Sequence, residues 1–98
     1  MRILMTVELD TEKTNQAVKD DTLPKIMESA LNEVKPEAVY FGTKDGRRTG
    51  FIVFDLKEMS DIPSIAEPFF QALNAKIDIM PVMDYADVQA GLQKYGSR

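Results

Sequence analysis

Ala38-Val39-Tyr40-Phe41-Gly42-Thr43-Lys44, then Asp45-Gly46, then Arg47-Arg48-Thr49-Gly50-Phe51-Ile52-Val53-Phe54-Asp55-Leu56 is the stretch on which the fold turns. Two runs rich in β-branched and aromatic residues flank an Asp-Gly pair. That pair suits a two-residue type I′ turn, whose central positions both need positive φ; glycine takes this freely and Asp tolerates it. A two-residue loop fixes the register. Lys44 then lies opposite Arg47, Tyr40 opposite Phe51 and Val39 opposite Ile52. Strand alternation puts Val39, Phe41, Ile52, Phe54 and Leu56 on one face and Tyr40, Phe51, Val53 and Asp55 on the other.

Upstream, Arg2 to Leu9 reads as a strand with Ile3, Met5, Val7 and Leu9 on an apolar face and Arg2, Leu4, Thr6 and Glu8 opposite. Asp10 or Thr11 is placed to cap a short polar helix through about Lys19, and Thr22 to cap a second with Leu23 and Pro24 in its opening turn. Leu23, Ile26, Met27, Ala30, Leu31 and Val34 recur at helical spacing, and Lys35-Pro36 ends that helix because the residue before proline leaves the helical region. Downstream, Ser60 or Asp61 is the expected cap of a helix with Pro63 in its first turn and an apolar stripe of Ile62, Ile65, Ala66, Phe69 and Leu73. Pro68 predicts a kink, or a one-turn prelude before a second segment. A strand follows over Ala75 to Val82, confined to a sheet edge by Pro81. Asp84 with Asp87 then opens a last helix as a capping box; Val88 and Leu92 lie on one side and Gly96 is its expected stop.

The order is β-α-β-β-α-β plus a C-terminal helix, with no repeat or linker to divide it, so residues 1–98 read as one domain. Two crossovers sharing a central hairpin define an α+β, ferredoxin-like sandwich: an antiparallel sheet in the order 4-1-3-2 with helices on one face. The other face then carries Leu4, Tyr40, Phe51, Val53, Met80 and Val82, a larger apolar patch than a soluble monomer usually leaves in water. A second copy packed by two-fold symmetry is the simplest cover, and a homodimer is expected.

The 98 residues are 44% hydrophobic and 29% charged, an ordinary globular balance, and they include no His, Cys or Trp. Those absences exclude Ser-His and Cys-His nucleophile pairs, thiolate or imidazole zinc sites, His- or Cys-ligated haem and disulfides within the chain. Lys and Arg number 12 against 16 Asp and Glu, a formal charge of −4 that argues against nucleic acid as a partner. No stretch has the length of a membrane span or the pattern of a secretory leader, so a cytoplasmic location away from membranes is expected.

Pro36-Glu37-Ala38-Val39-Tyr40-Phe41, Arg48 through Asp55, Ile65-Ala66-Glu67-Pro68-Phe69-Phe70 and Pro81-Val82-Met83 resemble a group of small bacterial proteins without assigned function, within the dimeric α/β-barrel superfamily of ferredoxin-like proteins. The resemblance covers nearly the whole chain. It implies two sheets forming a barrel around a central cavity. Architectural relatives include cofactor-independent monooxygenases, muconolactone isomerases, haem enzymes and ligand-sensing domains, so it selects no chemistry. Relatives that use His or Trp cannot lend their mechanism here.

The polar residues expected on the cavity side are Arg2, Thr6, Glu8, Tyr40, Asp55, Lys76 and Asp78. Arg2 with Asp55 and Glu8 with Lys76 have the placement of cross-strand ion pairs, a structural use worth roughly 0.2–1 kcal/mol each. Tyr40, Asp78 and Glu8 are the candidate catalytic groups: the Tyr40 hydroxyl as donor, and Asp78 or Glu8 as acceptor if burial raises its pKa. Against that stand Tyr40 packed on Phe51 with its hydroxyl in water, and Asp78 as a solvated edge residue. Thr6, Tyr40, Phe51, Asp78 and Met80 are the expected lining of a site for a small, partly apolar ligand.

Other features have plainer readings. Asn15 and Gln16 are within reach of a cavity mouth but suit an ordinary surface helix better, and Arg47 and Arg48 suit a charged turn better than an anion site. Phe69-Phe70 reads as core or dimer contact. Gly42, Gly46 and Gly50 do not form a phosphate loop, and no flavin or nicotinamide fingerprint occurs. Asp10, Glu12, Asp20 and Asp21 lack the spacing of a calcium loop, so neither metal nor cofactor is expected. Two functions follow: a homodimeric small-molecule-binding or interaction module, or a cofactor-independent isomerase or monooxygenase acting on a small cyclic or aromatic compound.

Overall fold

In the computed structural model, which describes residues 1–97, Asp45 and Gly46 take φ of 55° and 77°. The turn joins β2 (Ala38–Lys44) to β3 (Arg47–Asp55), with Lys44 opposite Arg47, Tyr40 opposite Phe51 and Val39 opposite Ile52. β1 (Arg2–Glu8) pairs antiparallel with β3 on one side and with β4 (Lys76–Pro81) on the other, giving the strand order β2-β3-β1-β4. The expected order 4-1-3-2 is therefore observed, and the architecture is ferredoxin-like α+β. β4 stands at an edge, where Pro81 removes no interior ladder bond.

α1 (Thr11–Lys19) and α2 (Leu23–Val34) fill the first crossover, and α3 (Ile62–Leu73) fills the second. They cover one face of the sheet: Thr14 and Ala17 of α1, Ala30 and Val34 of α2, and Ile65, Phe69 and Leu73 of α3 pack onto Ile3, Met5, Val7, Ile52 and Phe54. Each large side chain so buried contributes about 1.5–3 kcal/mol, whereas an exposed ion pair contributes about 0–1 kcal/mol. Packing on this face, rather than surface charge, holds the fold.

Some local expectations are met and others find a different solution. Asp10 caps α1 by accepting from the Lys13 N–H at 3.0 Å. Thr22 and Asp61 occupy N-cap positions without a side-chain cap; the Thr22 hydroxyl donates instead to Asp20 Oδ1 at 2.7 Å, which turns it away from the helix. Lys35 ends α2 in a left-handed conformation, φ 52°, its N–H reaching the Leu31 carbonyl at 2.9 Å. α3 runs through Pro68 as one helix rather than as a prelude and a second segment, and a 3-10 turn, Met59–Asp61, precedes the whole of it.

α4 (Tyr85–Gly96) begins with the expected capping box, Asp87 N–H to Asp84 Oδ1 at 2.8 Å and Asp84 N–H to Asp87 Oδ2 at 3.3 Å. Gly96 lies inside its last turn rather than beyond it. None of its residues is buried. The Cα radius of gyration is 16.0 Å and the longest extent 57 Å, against about 12.6 Å expected for a compact chain of this length.

Candidate functional site

The open face of the sheet is a grid set by the strand registers. Its central row reads Tyr40, Phe51, Thr6, Asp78 from β2 to β4. One row toward the β4 exit lie Ala38, Val53, Leu4 and Met80; one row toward the hairpin lie Gly42, Thr49, Glu8 and Lys76. Thus the five expected lining residues, Thr6, Tyr40, Phe51, Asp78 and Met80, share one face and two adjacent rows. Leu4, Thr6, Phe51, Val53 and Val82 are half-buried, Asp78 is exposed, and Met80 and Tyr40 are 53% and 71% exposed. Helices cover only the opposite face.

Row geometry separates the candidate acid and base. Neighbouring strands lie about 4.8 Å apart, so Tyr40 and Asp78, three strands apart, are separated by about 14 Å. No reacting atom touches both within one copy. Glu8 is diagonal to Asp78, about 7–8 Å away, and at 7% exposure it is far more buried than Asp78. The structure therefore groups Thr6, Asp78 and Glu8 toward the β4 side and leaves Tyr40 at the β2 edge.

The expected ion pairs keep their register but lose their contacts. Arg2 is opposite Asp55, yet its guanidinium reaches Glu37 at 2.8 Å and Asp84 at 3.5 Å. Asp55 binds Lys57 Nζ at 2.6 Å and the Met1 ammonium at 2.7 Å; the Lys57 hydrogen bond, then that of the ammonium, lowers its pKa to about 2. Glu8 is opposite Lys76, but among the described residues no ion pair joins them. Long side chains select acceptors in the flanking loops over the directly opposed carboxylate. The Asp87 N–H holds the Asp84 carboxylate below its ordinary pKa, with Arg2 adding to the effect.

Asn15 accepts from Arg48 Nη2 at 2.9 Å on the helix-covered side, so it does not reach over the open face. Phe69 is fully buried and Phe70 is 42% exposed. Asp10 and Asp20 are taken up by the local bonds of α1 and of the turn before α2. Among the described residues no group of three acidic side chains is poised for a metal ion, and no helix is long and apolar enough to cross a membrane.

Phe41 shares the face of Val39 and Ile52 but is 61% exposed, because the hairpin overhangs the helices; its ring lies over Gly50, where an added Cβ would stand 3.3 Å from Cε1. Beneath it an apolar groove of about 600 Å³ is lined by Leu9, Leu23, Pro24, Met27, Leu31 and Phe41. A signal existed in α2: Ile26, Ala30 and Val34 form one row four residues apart, and Leu23, Met27 and Leu31 a second row that packs against the core but stays half-buried.

Fold and open face together define a ferredoxin-like α+β protein with one helix-covered and one bare sheet face. The chain belongs to the family described as Domain of unknown function (DUF3303), whose model matches residues 1–96. No curated protein matches it. Among solved structures, the de novo designed protein Ferredog-Diesel is similar at 6% identity and a TM-score of 0.49, over 83% of this chain and 85% of that one.

Proposed function

We propose that the protein is a homodimeric binding module in which two open sheet faces meet and hold a small, partly apolar molecule. The observation that supports this most is the composition of the bare face. Leu4, Phe51, Val53 and Met80 surround Thr6, with Asp78 and Glu8 at one side. Apolar surface of this extent gains about 25 cal/mol per Å² when removed from water, and a two-fold-related copy presents the same surface in return. Thr6 and the two carboxylates give that interior a few polar groups to orient a ligand, the usual balance of a small-molecule site. An isomerase or monooxygenase pairing the Tyr40 hydroxyl with Asp78 or Glu8 would have to take donor and acceptor from different copies.

The test is light scattering at micromolar concentration on the unmodified chain and on Phe51→Glu. The expected result is a dimer for the former and a folded monomer, with unchanged far-UV circular dichroism, for the latter. A monomeric unmodified chain overturns the reading. Native mass spectrometry then addresses the ligand: a dimer carrying additional small-molecule mass supports it, and a ligand-free dimer whose interior is filled by side chains removes it.

A further inference from the structure

The groove under Phe41 is apolar along its length and basic at its mouth. β1 and β2 are each antiparallel to β3 and so run the same way, which makes α2 start at the hairpin end of the sheet and run back toward the start of β2. Its row of Leu23, Met27 and Leu31 therefore leads away from the hairpin tip, over about 12 Å. All three side chains are half-buried: they pack on the core and leave one flank to the groove, with Phe41 as the facing wall. At the tip, Thr43 and Arg48 stand opposite each other in the β2–β3 ladder, both exposed and both lining the same groove. Arg48 Nη2 donates to the Asn15 amide oxygen at 2.9 Å, a neutral acceptor that aims the guanidinium without cancelling its charge. Among the described residues no carboxylate forms an ion pair with it. Asp20, in the turn before α2, accepts from the Thr22 N–H and hydroxyl instead.

We propose that this groove binds a medium-chain fatty acid anion: the alkyl chain lies along Leu23, Met27 and Leu31 beneath Phe41, and the carboxylate sits at the mouth on Arg48, beside the Thr43 hydroxyl. The site is on the helix-covered side of the sheet and does not depend on the open-face dimer. Its volume, about 600 Å³, is that of an ordinary small-molecule pocket. The apolar walls select the tail, because a polar group there would leave water without finding a hydrogen bond. The mouth selects the head. A guanidinium with no anionic partner matches a carboxylate through its planar fork of donors. The surrounding charge acts in the same direction: the hairpin carries Lys44, Arg47 and Arg48 against Asp45 alone, in a chain whose net charge is −4. An anionic head is drawn to that end and a cationic one repelled. The row on α2 sets the length, since a medium acyl chain fits within about 12 Å and a longer one projects past Leu31 into water.

The test titrates decanoate, 1-decanol and decylammonium into the full chain and follows isotope-labelled Leu and Met methyl groups by NMR. Decanoate is expected to shift the Leu23, Met27 and Leu31 methyls to saturation and to bind at least about tenfold more tightly than decanol, as a charge-assisted hydrogen bond predicts. Decylammonium is expected to bind more weakly than either. Arg48→Gln, an exposed position outside the core, should remove the preference for decanoate and leave the affinity for decanol unchanged. Absence of saturable shifts at the α2 methyls, shifts confined to Leu4 and Met80 on the open face, or equal affinities for decanoate and decanol in the unmodified chain overturn the site. An undiminished preference for decanoate in a folded Arg48→Gln protein does the same.

Discussion

Tyr40 and Asp78 stand at the two ends of one row across the sheet, with Phe51 and Thr6 between them. Side chains that far apart with no shared partner act independently on stability. The stability losses of Tyr40→Phe and Asp78→Asn are therefore expected to add to within about 0.5 kcal/mol in the double variant when unfolding is followed in urea. Coupling beyond that would mean that the two meet across an interface.

The Thr14 hydroxyl is fully buried in the face of α1 that meets the sheet, and it has no hydrogen-bond partner. Burying such a group unpaired costs about 1–3 kcal/mol, and valine keeps the branched shape without the polar atom. Thr14→Val is expected to stabilise the protein by about 1 kcal/mol, seen as a higher urea midpoint at unchanged slope. A lower midpoint would show that the hydroxyl is satisfied in solution.

Asp55 titrates at about 2 in the folded chain because Lys57 and the Met1 ammonium favour its charged form. A carboxylate with a depressed folded-state pKa binds protons more tightly when unfolded. Its stabilising contribution is thus complete above the unfolded value near 3.9 and is lost as pH falls through about 2. Acid titration followed by NMR is expected to place the Asp55 carboxyl near 2, and Asp55→Asn to flatten the fall in stability between about pH 4 and pH 2. A normal midpoint for Asp55 would show that the Lys57 contact is not maintained.

The sheet was legible because its information is local. Asp45-Gly46 sets the hairpin register, the register sets the rows, and alternation along Arg2 to Glu8 decides which residues of β1 face the helices. For that reason Thr6, Phe51, Asp78 and Met80 fall on one face by sequence alone. Parity says nothing about how far a helix reaches along a strand, so it groups Phe41 with a core that ends short of it. It is equally silent on where a long side chain goes. Arg2 sits opposite Asp55 but turns to Glu37 and Asp84, in segments whose approach depends on the whole fold. Thr22 illustrates the competition among short polar side chains: Asp20, two residues away, takes the hydroxyl that a cap would have used.

Pro81 has a consequence for how assembly ends. The Val82 N–H bonds inward to the Arg2 carbonyl at 3.1 Å, and alternation along the strand turns the nitrogen of Pro81 outward. At that position the rim of the sheet offers an incoming strand no donor. Lys76 and Asp78 on the same strand add charge to that rim, a further obstacle to strand-by-strand growth. A chain with a greasy face and an open flank runs the hazard of fibrous self-association. The proline blunts the flank while leaving the face available, so contact broadside to the sheet can proceed and edgewise polymerisation stalls.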